Sequence, residues 1–165
     1  MSARLYVVNL LSGFLPQSRA FGLRRSLYRA AGVHLSTNER LNGGVMIQNP
    51  NVHVGEGTWI GRITEFAATS RSSITIGSSC DVSQDVLFIT GSHDIGDSER
   101  RAGASDRSLP INVGDGSWSG ARVTMLGGSS IGKGVVVAAS SLVRDVFPDN
   151  VLIAGTPARI VRYLE

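Results

Sequence analysis

The sequence predicts a mainly β protein, a triangular coil of short strands stacked in parallel, and three observations carry that expectation. From Val113 the chain divides every six residues into VGDGSW, SGARVT, MLGGSS, IGKGVV, VAASSL and VRDVFP. The first positions (Val113, Ser119, Met125, Ile131, Val137, Val143) are apolar apart from Ser119, and the fifth are all small or apolar. The same pattern returns upstream in VGEGTW from Val54, IGRITE from Ile60, IGSSCD from Ile76 and VSQDVL from Val82. A period of six is neither the helical 3.6 nor the alternation of a simple strand. It reads as a short strand and a turn, repeated. Small second positions such as Gly114, Gly120 and Gly132 let the backbone turn a corner. Three such sides close one turn of the coil, and turns stack about 4.8 Å apart through backbone hydrogen bonds.

Composition agrees. The chain has 165 residues, enough for one domain with a real core. It is 42% hydrophobic, 18% charged and poor in aromatics, with 20 glycines, which favours many tight corners over a helical bundle. A net charge of +3 is modest. With no zinc-finger spacing and no aromatic RNA-binding signature, it points away from nucleic acid. A single cysteine, Cys80, excludes an internal disulfide and falls at a fifth, inward position, where a small core residue belongs. No cleavable signal peptide is evident, so a reducing, cytoplasmic setting is expected.

Residues 1–44 depart from the six-residue rule and form an N-terminal capping segment. The apolar run Leu5 to Pro16 is too short to span a bilayer, which takes about 20 residues. PQSRAFGLRRSLYRAAG predicts a helix from Gln17 to Ala31, with Pro16 before it and Gly32 as a stop. Phe21, Leu27, Tyr28 and Ala31 share an apolar face, and Arg25 and Arg29 lie one turn apart. Capping of the open coil end is the preferred role, because an uncapped end exposes unpaired strand edges. A peripheral contact with the inner face of a membrane is the compatible alternative.

The coil is expected over residues 45–165, and its phase breaks twice. Ile60 to Ile76 is not a multiple of six, so RITEFAATSRSS must bulge. The second break is a polar loop over residues 92–110 that opens on His93. Long loops leaving a repeat array are usually functional or disordered.

The in-phase hexads, TGSHD at Thr90 to Asp94, and the closing PDNVLIAGTPARIVR at Pro148 to Arg162 carry a resemblance. Over roughly residues 45–165 the chain resembles the hexapeptide-repeat acyltransferases. It looks like their galactoside, maltose and exopolysaccharide O-acetyltransferase branch, and TGSHD with its polar loop is most similar to the colanic-acid type. The resemblance implies a left-handed parallel β-helix, a homotrimer, and transfer of acetyl from acetyl-CoA to a sugar hydroxyl. It implies that His93 is the catalytic general base. It places backbone contacts to acetyl-CoA at Ala121 and Ala139, coenzyme contacts at Arg159 and Arg162 in the tail 148–165, and Trp118 beside the substrate. Two departures stand out: the family commonly reads Thr-Lys at Arg144-Asp145, and Ile at Ser119. The acceptor-binding asparagine of the galactoside enzymes falls in the shortened EFAATS region.

The chemistry fits those residue types. A sugar hydroxyl is a poor nucleophile at neutral pH, and an imidazole can take its proton as it attacks a thioester. A backbone N–H can hold the resulting oxyanion. Ser92 is expected to shape the loop, and Asp94 and Glu65 are the candidates to orient the imidazole or hold an acceptor hydroxyl, against the alternative of solvated carboxylates. Ala121 and Ala139 are one full turn apart and should stack as a strip of small side chains suited to a pantetheine arm. His34 and His53 lie outside the motif, and the three histidines offer no close pair for zinc, so no metal is expected. Two other readings compete: an antibiotic-inactivating acetyltransferase of the same fold, and a non-catalytic β-helix used for assembly. A scaffold needs neither a histidine in this motif nor a small-residue track.

Overall fold

The computed structural model describes residues 2–165. Two helices, α1 (Ala3–Phe14) and α2 (Phe21–Ala30), precede a left-handed parallel β-helix. Its face A stacks β1 (His34–Leu35), β4 (Val52–Val54), β7 (Ile74–Ile76), β12 (Ile111–Val113), β15 (Ser130–Ile131) and β18 (Val146–Phe147). Face B stacks β2 (Arg40–Leu41), β5 (Trp59–Ile60), β8 (Asp81–Val82), β13 (Trp118–Ser119), β16 (Val136–Val137) and β19 (Val151–Gly155). Face C stacks β3 (Met46–Ile47), β6 (Glu65–Ala67), β9 (Leu87–Ile89), β14 (Thr124–Leu126) and β17 (Leu142–Val143). Coil strands thus begin at His34, inside the segment that the sequence assigns to the cap.

The six-residue template is a template of burial. All six first positions from Val113 to Val143 and all six fifth positions from Ser117 to Phe147 are buried inside the coil. Cys80 is buried in the fifth-position column, and burial pushes its thiol up, as expected for an inert core residue. Corners need small residues because the next turn lies directly beneath: a Cβ on Gly120 would sit 2.6 Å from the Ala139 nitrogen.

On face A, His34 pairs with His53, Val52 with Ile74, Ile74 with Ile111, Asn112 with Ser130, and Ser130 with Val146. Successive turns therefore take 19, 22, 37, 18 and 16 residues. The two long turns are the two phase breaks of the sequence, and both leave the coil at the corner between faces C and A. The first is residues 68–73, after β6. The second, after β9, is not an irregular loop but an antiparallel hairpin, β10 (Gly91–Ile95) and β11 (Ala102–Ser108).

The N-terminal segment differs from the expected single helix. The stretch 17–20 is a turn, since Ala20 takes a left-handed conformation (φ 56°) before α2. Helix α1 lies within the apolar run that periodicity did not resolve: Leu5, Val8 and Ser12 face inward, but Tyr6, Val7, Leu10 and Leu11 are also apolar. Its start was marked only by Ser2, whose hydroxyl accepts from the Leu5 N–H.

The helices cap the coil by completing the hydrogen bonds of its first turn. Asn9 donates to the Ile47 carbonyl at 3.0 Å and accepts from the Ile47 N–H at 3.1 Å, as a further strand would. Tyr28 donates its hydroxyl to the Val45 carbonyl at 2.7 Å. Arg24, fully buried, donates to Ser12 Oγ (2.9 Å), to the Leu41 carbonyl (2.8 Å), and to the carbonyls of Arg19 (3.0 Å) and Pro16 (3.1 Å). Burial pulls the Arg24 guanidinium below its ordinary value and pushes the Tyr28 hydroxyl up to about 12.

Candidate active site

The two insertions at the C–A corner build one site. Thr69 and Ser72, from the first, meet Ser108 at the base of the hairpin, with hydroxyl contacts of 2.5 Å (Thr69–Ser108) and 2.6 Å (Ser72–Ser108). Thr90 braces the junction: its Oγ1 accepts from the Thr69 N–H at 3.0 Å, and its carbonyl accepts from the Leu109 N–H at 3.2 Å. Arg71 donates to the Asp106 carbonyl at 3.3 Å and lies 3.6 Å from its carboxylate.

Hairpin register then sets the candidate base. His93 stands opposite Asp106, and its Nδ1 lies 3.3 Å from Asp106 Oδ1. A carboxylate at Nδ1 favours the tautomer that carries its proton there and leaves Nε2 as the acceptor. The imidazole is half exposed, over a cavity of about 600 Å³ walled by the hairpin and by Thr69, Ser70 and Arg71. That size suits a small-molecule ligand.

Asp106 is the residue that sequence reasoning missed. It lies thirteen residues beyond His93, and only the hairpin brings the two together. Asp94 and Glu65 are engaged elsewhere. Adjacent strand residues point to opposite sides, and Asp94 accepts from the Ser105 hydroxyl at 2.6 Å. Glu65 lies on β6 of face C, where it accepts from the Gln48 amide at 2.5 Å.

Ala121 and Ala139 do lie in successive turns: Trp118 pairs with Val136, and Ser140 donates to the Ala121 carbonyl at 2.8 Å. They occupy the corner between faces B and C, whereas His93 springs from the corner between C and A. One chain therefore does not bring them together. Trp118 lies apart as well, 54% exposed on face B beside Trp59 and Asp81. The chain closes on β20 (Ala158–Tyr163), antiparallel to β19, with Arg159 and Arg162 both exposed. Arg159 lies 3.0 Å from Asp145, so an acidic residue at the C–A corner holds a tail arginine.

His34 and His53 stack on face A with ring centroids 4.3 Å apart, a close pair that linear spacing did not reveal. Burial, and then the neighbouring His34, hold His53 below its ordinary value. Among the described residues, no group of three or more His, Cys, Asp or Glu is placed to hold a metal.

The fold and the histidine-bearing hairpin define a class, and relatives place the chain within it. Escherichia coli WcaF, named as a colanic acid biosynthesis acetyltransferase, is 31% identical over 140 residues, 84% of this chain and 74% of that one. A Saccharomyces cerevisiae protein named as an acetyltransferase is 30% identical over 112 residues, 68% of this chain and 56% of that one. The crystal structure of the hexapeptide-repeat acetyltransferase VCA0836 of Vibrio cholerae, complexed with acetyl-CoA, superposes with a TM-score of 0.84 at 28% identity, covering 99% of this chain and 86% of that one. No family model matches. The chain belongs to the hexapeptide-repeat acetyltransferases. It spans between about a half and three quarters of the length of these curated relatives.

Proposed function

We propose that this protein transfers the acetyl group of acetyl-CoA to a hydroxyl of a sugar in a surface polysaccharide or its precursor. The observation that carries the reading is the His93–Asp106 pair, held over a cavity by a hairpin that the coil braces. The acceptor hydroxyl gives its proton to Nε2 of His93 as its oxygen attacks the thioester carbonyl. The tetrahedral intermediate carries an oxyanion, which a backbone N–H stabilises. Collapse breaks the carbon–sulfur bond, and His93 returns the proton to the departing thiolate. Asp106 holds the tautomer and faces the imidazolium that forms in between. No acyl-enzyme is needed. Acetyl-CoA bound by VCA0836 and the colanic acid name of WcaF support the donor and the acceptor class.

The separation of His93 from the small-residue track argues for a homotrimer. Cyclic packing sets the B–C corner of one subunit against the C–A corner of the next. Ala121 and Ala139 then line the pantetheine arm that reaches a neighbour's His93, with Trp118 alongside. Arg159 and Arg162 meet coenzyme phosphates. Arg159→Ala and Arg162→Ala should each raise the KM for acetyl-CoA and change kcat much less. Unchanged KM in both variants removes the tail from the coenzyme site, and a stable monomer with full activity by light scattering removes the shared site.

The N-terminal helices also suit a cytoplasmic membrane surface. Tyr6, Val7, Leu10, Leu11 and Phe14 of α1 are exposed, Phe14 to 81%, and residues 1–38 contain no Asp or Glu. Cosedimentation with anionic vesicles that Leu10→Ser and Phe14→Ser abolish is the expected result. Equal recovery with neutral and anionic vesicles speaks against the contact.

A further inference from the structure

The exposed apolar residues of α1 fall on two adjoining stripes. Tyr6, Leu10 and Phe14 recur every four residues and form the outer one. Val7 and Leu11 share the other with Arg4, and this stripe faces Leu27, Ala30 and Ala31 of α2 across a groove of about 490 Å³. Among the described residues, Arg4 is the one polar side chain in the groove walls. We propose that the groove holds the hydrocarbon chain of a lipid phosphate that carries the sugar acceptor, with the phosphate at Arg4 and the sugar under His93.

The walls select the chain and Arg4 selects the headgroup. A hydrocarbon chain laid between the helices removes its own surface and that of both helices from water. Among the described residues, the Arg4 guanidinium has no hydrogen-bond or ion-pair partner, and residues 1–38 contain five arginines and no Asp or Glu. A guanidinium offers paired N–H donors that match phosphate oxygens. A neutral lipid would leave that charge unanswered beside an apolar groove.

Position ties the groove to the catalytic hairpin. The helices run antiparallel, since Ser12 meets Arg24 and Asn9 meets Tyr28. Arg4 therefore stands level with the C-terminal end of α2. That end rests on the C–A edge: a Cβ on Gly32 would sit 3.5 Å from Pro50, which lies between β3 and β4. Asn51, next along, donates to the carbonyls of Thr69 (3.4 Å), Ser70 (3.3 Å) and Ser72 (3.4 Å). Thr69 and Ser70 in turn wall the cavity under His93. The cationic end of the groove, the first insertion and the hairpin thus succeed one another along a single edge. Two coil steps separate the first from the last, roughly 10 Å, within reach of a sugar joined to a phosphate at Arg4.

The inference rests on the acetyltransferase reading for what happens at the sugar end, so its test separates the two. Dodecyl phosphate, below its micelle concentration, is titrated into the full chain by calorimetry. The native protein should bind it about tenfold or more tightly than butyl phosphate, which has the charge without the long chain, and than dodecyl maltoside, which has the chain without the charge. Ala30→Phe fills the groove from an exposed position, and Arg4→Gln removes the cation; each should weaken binding about tenfold. Leu10→Ser and Phe14→Ser, on the outer stripe, should leave it unchanged. Galactosyl dodecyl phosphate with a diazirine on its sugar is then bound and irradiated, and label should appear on residues 69–72 or on the hairpin. Absence of dodecyl phosphate binding, or equal binding in native, Ala30→Phe and Arg4→Gln proteins, would overturn the groove site. If Ala30→Phe instead broke the oligomer in light scattering while no chain bound, the groove would belong to a second copy of this chain. Label confined to α1 and α2 would overturn the placing of the sugar at His93. Chain binding and hairpin labelling in a protein that binds no acetyl-CoA would sink the acetyltransferase reading and keep the groove.

Discussion

His93→Ala lowers turnover on the true acceptor by about 100-fold to 10,000-fold, the range for losing a general base, while fold and acetyl-CoA binding persist. The expectation follows from placement. The side chain is half exposed on a hairpin outside the coil core, so its removal opens no cavity inside. Among the described residues its one charged contact is Asp106, and the hairpin keeps its anchors at Ser108 and Thr90. Asp106→Asn supplies the control. The amide keeps the volume but cannot fix the tautomer or face an imidazolium, so kcat should fall while KM for acetyl-CoA stays close to native. Near-native turnover of His93→Ala would place the base elsewhere. Loss of folding would make His93 a structural residue. Acetyl-CoA turnover and circular dichroism on the same samples decide.

Arg24→Ala costs about 3–5 kcal/mol of stability, a large share of the roughly 5–15 kcal/mol that holds a domain together. Arg24 joins α1 through Ser12, the connecting turn through Pro16 and Arg19, and the first coil turn through Leu41. Truncation leaves those acceptors without their donor, at about 1–3 kcal/mol for each buried group left unmade, and opens a void where one of the largest fully buried side chains stood. Arg24→Met fills most of the void and restores no donor. Its stability should therefore stay near that of the alanine variant, not the native protein. Urea unfolding of the three proteins tests this, and a loss below about 1 kcal/mol in Arg24→Ala would show that the helices are not bolted to the coil through this residue.

The coil was legible because its rule is local. Positions one and five recur every six residues, and each points inward without reference to anything distant. Both departures from the period were visible for the same reason. Their meeting was not, because two breaks about twenty residues apart become neighbours only when turns of 22 and 37 residues stack at one corner. His93 could be singled out as a candidate from TGSHD, whereas its contact with Asp106 could not be read there: that contact depends on hairpin register, which a bulge between His93 and Ile95 shifts. Asp94, a candidate beside Glu65, instead accepts from Ser105, while Asp106 is the carboxylate that the hairpin sets beside the imidazole. Helix α1 was hidden by its own apolarity, since a helix apolar on inner and outer faces shows no period.

The trio of Thr69, Ser72 and Ser108 has a consequence for how such enzymes diverge and how they can be recombined. These hydroxyls satisfy one another across two insertions, so neither insertion is a free module. A hairpin transplanted from a relative without its residues 68–73 would arrive with its foundation missing and would lose the angle at which it holds its histidine. If the hairpin holds the acceptor as proposed, acceptor choice is inherited with the pair of segments on one vertical edge of the prism. Chimeras that exchange both together should retain activity, where exchanges of either alone yield folded, idle coils.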